Sequence, residues 1–157
     1  MKLKKVLIIN LAALFAAVAM TGCSKDTENE KKIGYISNIN IEEKSFDFDE
    51  IEWITPEDTE KVEELGLDPQ YDFPNGFYIN NSATDKESYT ISDKCTFEFI
   101  DWKDDFKAKS VTFEEFTNQH NEFYAVFYEP LGEASSTPYW IEIEDNKVVS
   151  IQQQYTP

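Results

Sequence analysis

The 157-residue chain contains no arginine; its 14 basic residues are all lysines. The planar guanidinium fork is what grips a carboxylate or phosphate through two parallel hydrogen bonds, and lysine offers only a point charge on a flexible stem. Phosphoryl transfer and anionic-sugar chemistry built on such clamps are therefore disfavoured. Histidine is nearly absent too, with His120 alone. A single imidazole excludes a histidine-rich zinc site, and a nucleophilic triad would need an activated nucleophile beside it. His120 falls in the last turn of an expected helix, where it can meet free carbonyls and the dipole, a structural role. There is no unbroken run of about 20 apolar residues, the length that crosses roughly 30 Å of hydrocarbon. The longest apolar stretch, Val6 to Met20, is shorter and contains Asn10. Only two cysteines occur, Cys23 and Cys95.

What is present begins with MKLKK, three lysines and no acid, followed by VLIINLAALFAAVAM and then Thr21-Gly22-Cys23. A basic start, a short apolar run and small residues before a cleavage point read as a secretory signal. Met20-Thr21-Gly22-Cys23 resembles a bacterial lipobox. That resemblance implies diacylglyceration of the Cys23 thiol and cleavage just before it, leaving Cys23 as the lipid-bearing N-terminus. Competing readings are an ordinary signal peptide with an incidental cysteine, or an uncleaved anchor. Two or three acyl chains, at about 0.8 kcal/mol per buried methylene, give stable anchoring where one chain is marginal. The expected organisation is a signal peptide over 1–22, a polar tether over 23–32 (SKDTENEKK after the cysteine) and one domain over 33–157, a length suited to one core. With Cys23 acylated, Cys95 has no partner and the fold must stand without a disulfide, although an oxidising compartment would permit one.

The formal net charge is -17. Removal of the three signal lysines leaves 11 lysines against 31 acids, or -20. Such a surface repels nucleic-acid phosphates and anionic headgroups, so nucleic acid is excluded as a partner, whereas cations, basic peptides and cationic polymers are attracted. Solubility outside the cell is the plainer explanation of the same charge.

The domain reads mainly as strands. Ile33, Tyr35, Ile39 and Ile41 alternate in IGYISNINI; Phe46 and Phe48 share a face in SFDFDEIEW, and Ile51 and Trp53 continue in the opposite phase, which suggests a β-bulge at Asp49-Glu50. TPEDTEKVEELG predicts a helix with Thr55 as cap, Pro56 at its first position and Gly66 at its end. FYINN, SYTIS and CTFEFIDW predict three short strands. VTFEEFTNQH predicts a second helix opened by a Thr112/Glu115 capping box, and FYAVFYEP, apolar on both faces, a central strand. The tail predicts a hairpin in which Tyr139, Ile141 and Ile143 face inward, Asp145-Asn146 turn, and Val149, Ile151 and Tyr155 return. Seven or eight strands with two short helices fit a β-rich α+β fold, first an OB-like or partly open barrel and second a curved antiparallel α+β sheet.

IGYI, FDFDEIEW, PNGFYINN and KVVSIQQQYTP, taken in order and spacing, resemble a group of small, uncharacterised bacterial lipoproteins and secreted proteins of low-GC organisms. The resemblance implies an extracytoplasmic accessory or binding role at a single membrane without a periplasm; the lipid anchor itself places the chain on the outer face of the cell membrane, or in the outer membrane or periplasm if the source is diderm. It assigns no functional residue.

No cofactor or metal motif is evident. Asp47, Asp49, Glu50 and Glu52, and separately Asp101, Asp104 and Asp105, form acidic groups that could supply a glycosidase-type pair or a weak calcium site; without a D-x-D-x-D-G loop, solvated strand faces are the simpler reading. Cys95 alternates with Phe97 and Phe99, as a buried, inert thiol does. Tyr78, Trp102 and Trp140 lie opposite the apolar phase of their strands and are the candidate ligand-binding residues, suited to stacking a sugar or gripping a peptide. The functional expectation is a lipid-anchored binding or accessory module with a protein, peptide or glycan ligand. The alternatives are a small hydrolase using two carboxylates and a surface-presented inhibitor of a basic extracellular protein.

Overall fold

Ser45-Phe46-Asp47-Phe48 places one phenylalanine face against the core and one polar face outward, and the same period of two recurs along most of the chain. The computed structural model describes residues 29–82, 85–101, 103–118 and 137–156. Its strands are β1 (Glu30–Asn40), β2 (Ser45–Glu50), β3 (Glu52–Ile54), β4 (Tyr78–Asn80), β5 (Glu87–Asp101), β6 (Lys107–Val111), β7 (Tyr139–Glu144) and β8 (Lys147–Gln153). Helix α1 spans Thr59–Leu65, and residues 113–118 are also helical. No helix among the described residues is long and apolar enough to cross a membrane.

The strands β2, β1, β7, β8 and β5 pair in that order, and β2 pairs again with β5, so the sheet closes into a five-stranded barrel with β6 added beside β5. Every pair in the ring is antiparallel except β5 with β8. The third and fifth barrel strands in chain order are thus the parallel pair, which is the OB-like arrangement expected from the sequence. Closure depends on two long strands that change partner. Gly34 of β1 pairs with both Tyr139 and Glu50, and β5 meets β2 at Glu87–Thr90, then β8, then β6 at Phe97–Asp101. A Cβ at Gly34 would lie 2.2 Å from the Asp49 carbonyl oxygen, so only glycine permits this crossing.

The barrel is filled by Ile36, Phe46, Phe48, Ile91, Phe97, Phe99, Tyr139, Ile141, Ile143, Val148 and Ile151, with Phe116 from the second helix. Phe116 is fully buried and lies 5.2 Å from the Phe97 ring, 5.5 Å from Phe99 and 5.9 Å from Tyr139, plugging one end of the barrel. Fully burying one such side chain is worth about 1.5–3 kcal/mol. The capping box that starts this helix forms as expected: Thr112 N donates to Glu115 Oε2 at 2.8 Å and Glu115 N to Thr112 Oγ1 at 3.2 Å.

The order of elements follows the sequence; the phase often does not. In β1 the core face carries Ile36, not Ile33 and Tyr35. Asn38, at φ 51°, sits in an irregularity that turns Ile39 to the core, and Ile41 is 59% exposed. Ile33 is buried on the outer side, across from Trp140, with its carbonyl bonded by Ile51 N. The phase change after Asp49 is not a bulge within a strand: β2 ends at Glu50, and the chain leaves the barrel for β3. Val148 rather than Val149 faces inward, because β8 shifts register between Ser150 and Val148. SYTIS and CTFEFID form the single strand β5. α1 starts later than expected. Asp58 is its N-cap, and the Asp58 carboxylate accepts from Thr55 N and Oγ1, so Thr55 stabilises the preceding turn; Gly66 closes the helix in the left-handed region at φ 66°. β6 has no counterpart in the sequence reading, and β1 begins at Glu30, inside the expected tether. FYAVFYEP and His120 lie outside the described residues.

Between β2 and β5 the chain inserts β3, α1 and β4 around a small second core of Ile54, Val62 and Phe73, with Leu67 and Tyr78 packed against it.

Candidate functional site

The insertion leaves the barrel beside the start of β1, and the two meet around Lys32. Its side chain is 15% exposed, and its ammonium lies 3.0 Å from Glu50 Oε2, 3.5 Å from Glu87 Oε2 and 3.5 Å from Glu30 Oε1, and 5.8 Å from the centre of the Tyr89 ring. Burial alone would lower the Lys32 pKa; bonding to Tyr89 and Glu50 overrides it and raises the pKa well above the ordinary lysine value. The Tyr89 hydroxyl donates to Glu87, which with Lys32 holds the Glu87 carboxyl below the usual range, while burial and Glu87 push Tyr89 up. A lysine held this firmly in its charged form is no nucleophile.

Adjacent to this cluster is a groove of about 440 Å³ lined by Glu50, Glu52, Lys61, Glu64, Asn80 and Leu65. Glu52 accepts from Lys61 at 2.8 Å and from Asn80 at 2.6 Å, and Lys61 reaches Glu64 at 3.3 Å. Lys61 and Asn80 lower the Glu52 pKa. The other acids of this region are tied individually. Asp47 accepts from Ser88 at 2.6 Å and Asn38 at 2.8 Å, which lowers its pKa. Asp49 accepts from Asn81 at 3.2 Å through Oδ2, and its Oδ1 is buried with no hydrogen-bond partner among the described residues. Asp101 accepts from Lys103 N, and Asp104 pairs with Lys107 at 2.9 Å. Among the described residues no group of three or more His, Cys, Asp or Glu could hold a metal ion.

The carboxylates that depart from ordinary behaviour, Asp47, Glu52, Asp58, Glu87, Asp93 and Glu115, all shift downward through hydrogen bonds or lysine neighbours. A general acid needs the opposite shift, so that a proton is still present near neutral pH. Among the described residues these six groups hold fixed negative charge.

Of the aromatic candidates, Tyr78 packs on the second core, its ring 6.3 Å from Phe73. Trp140 lies on the barrel's outer side, where Nε1 donates to Gln154 Oε1 at 2.7 Å and Lys31 sits 5.0 Å from the ring centre. The two belong to different sheets, and Trp102 lies outside the described residues. Trp53 and Phe77, stacked at 4.0 Å on the insertion, were not singled out by sequence, although both flank the phase that points to the second core. Cys95 packs against the barrel core, and burial pushes its thiol up to about 12, which suits an inert side chain. The sequence places Lys32 in the expected tether, whereas the structure places it in β1 beside Ile33.

Comparison of the chain with protein-family models, with curated proteins and with solved structures finds no match.

Proposed function

We propose that the chain is an acyl-anchored extracytoplasmic binding module, lipidated on Cys23 and presented on the outer face of a membrane, in keeping with its resemblance to small bacterial lipoproteins. The observation that carries this reading is the spacing between Met20-Thr21-Gly22-Cys23 and the first strand. β1 starts at Glu30, seven residues beyond Cys23. Seven residues reach at most about 25 Å when fully extended, so acylation at Cys23 would keep the barrel close to the bilayer. The acidic body, repelled by anionic headgroups, suits attachment through acyl chains rather than through charge. The downward-shifted carboxylates support binding over the hydrolase alternative, and the negative charge fits a basic ligand or protein.

Mass spectrometry of the mature protein from intact cells tests the anchor. The expected N-terminus is an acylated Cys23, and Cys23→Ala should release the chain from the membrane fraction. An unmodified N-terminus elsewhere overturns the anchor. Crosslinking in intact cells tests the binding role: a specific partner or ligand supports it, and recovery of bulk envelope proteins alone counts against it.

A further inference from the structure

The insertion between β2 and β5 is bounded by two carboxylates that hold one ammonium. Glu50 is the last residue of β2 and Glu87 the first of β5, and Lys32 Nζ lies 3.0 Å from Glu50 Oε2 and 3.5 Å from Glu87 Oε2. The barrel closes without the insertion, because β2 pairs with β5 directly, from Ser45 with Thr90 to Phe48 with Glu87. β3 and β4 form a sheet of their own, and with α1 they pack on the core of Ile54, Val62 and Phe73, which shares no residue with the barrel core among the described residues. At the joint Ile51 N donates to Ile33 O at 3.0 Å. Ile33 and Ile51 are each 5% exposed, and among the described residues they belong to neither core. On the returning stem Asn81 Nδ2 donates to Asp49 Oδ2 at 3.2 Å and Lys86 Nζ to Ser37 Oγ at 3.3 Å. Lys32 reaches both stems at once.

A unit with its own core, joined to a frame that closes without it, opens locally at lower cost than the whole molecule unfolds. Opening here must expose Ile33 and Ile51 and part the Lys32 ammonium from Glu50 and Glu87. The Lys32 side chain is mostly buried, so salt screens these contacts less than it screens exposed pairs. We infer that the insertion opens and recloses as one cooperative unit on a barrel that stays closed, and that Lys32 is the clamp that holds it shut. Glu50 has two roles in this device: it grips Lys32, and it lines the groove with Glu52, Lys61 and Asn80. The open and closed states therefore present different grooves.

Hydrogen exchange of the full chain in nonionic micelles, read by mass spectrometry of peptic fragments, tests both parts. Amides of β3, α1 and β4 should exchange through one shared opening, faster than those of β7 and β8. Ile151→Val lightens the barrel core and separates the unit from its frame. It should speed β7 and β8 about 2- to 10-fold and leave the insertion unchanged, because the barrel core persists when the insertion opens. Lys32→Met keeps an aliphatic side chain and removes the charge. It should speed exchange in the insertion about 10- to 100-fold, the range for hydrogen bonds to a charged group. The barrel should accelerate by no more than that factor, since the clamp is also lost on global unfolding. Glu50→Gln removes one arm of the clamp and should act in the same direction, which keeps the test open if Lys32→Met does not fold. The double variant should exchange no faster than Lys32→Met alone, because both changes remove one contact. Insertion fragments that speed up with β7 and β8 in Ile151→Val would show that the insertion opens only with the whole molecule. Insertion exchange unchanged in the folded Lys32→Met or Glu50→Gln chain, or additive in the double variant, would overturn the clamp. None of these readouts needs a ligand, so failure of the clamp and failure of the binding role are told apart.

Discussion

Replacing Gly34 with alanine sets two effects of opposite sign against each other. Alanine restricts the unfolded chain and, at a neutral site, stabilises by about 0.4–1 kcal/mol. At Gly34 the added methyl would sit 2.2 Å from the Asp49 carbonyl oxygen, 2.9 Å from the Asp49 carbonyl carbon and 2.7 Å from Phe48 Cζ, where ordinary contact begins at 3.4 Å. The shortfall against the carbonyl is about 1.2 Å, and both sides are backbone, so no rotamer change relieves it. β1 and β2 would have to separate where β1 passes from β7 to β2, loosening ladder hydrogen bonds as well. Overpacking costs about 1–3 kcal/mol and a loosened ladder bond about 0.5–1.5 kcal/mol more, so after the entropic gain a net loss of about 2 kcal/mol is expected. With a urea slope of about 1–3 kcal/mol per molar, the unfolding midpoint falls by roughly 0.7–2 M. Tryptophan fluorescence during urea unfolding measures it. Adding Phe48→Leu to Gly34→Ala should recover little, because the carbonyl overlap remains. A midpoint equal to or above the parent's would refute the steric argument and show that the strands part freely at this crossing.

Three further outcomes follow from the same geometry. Glu87, lowered chiefly by Tyr89 and then Lys32, contributes stability that is present above its unfolded value near 4.3 and lost as pH falls through the lower folded value. Glu87→Gln should therefore reduce proton uptake on acid unfolding by a fraction of one proton, and an unchanged slope would deny the coupling. Cys95, held up to about 12 by burial, should react with a thiol reagent at pH 8 at least about tenfold more slowly in the native chain than in urea, and comparable rates would mean that the thiol is not buried. Asp145 and Asn146 turn the β7–β8 hairpin at φ 49° and 61°, the backbone for which Asp-Gly is favoured, so Asn146→Gly should raise the melting temperature by about 2–4 °C, whereas Asn146→Val should lower it.

The class of fold was legible because period-two patterning in SFDF, TFEF and YWIEI, together with the Asp-Asn turn, depends on neighbours only. The Thr112/Glu115 box and Gly66 were legible for the same reason. Phase was not. Asn38 and the register shift in β8 each invert which residues face inward, and such irregularities arise from fitting strands around a closed barrel, a tertiary demand with no local mark. β6 escaped notice because Lys107, Ala108, Lys109 and Ser110 are all exposed, so no burial pattern marks the strand. The acidic groups were visible as composition, but their division among Lys32, Lys61, Asn38, Ser88 and Asn80 depends on pairings that span up to 55 residues.

The partner change at Gly34 has a further consequence, for the order in which the molecule assembles. The pair that joins β1 to β7 links Glu30 with Ile143, 113 positions apart, and the parallel pair must also wait for β8 at the end of the chain. Until the last hairpin exists, β1 and β5 have only β2 between them, and the curved four-stranded sheet of β1, β2, β5 and β6 keeps open edges on β1 and β5 and an unsealed aromatic interior. High contact order of this kind slows folding toward milliseconds or seconds and prolongs the exposure of those edges to other chains. The closing step belongs to the β7–β8 hairpin, and loss of that hairpin would leave an aggregation-prone sheet rather than a smaller barrel.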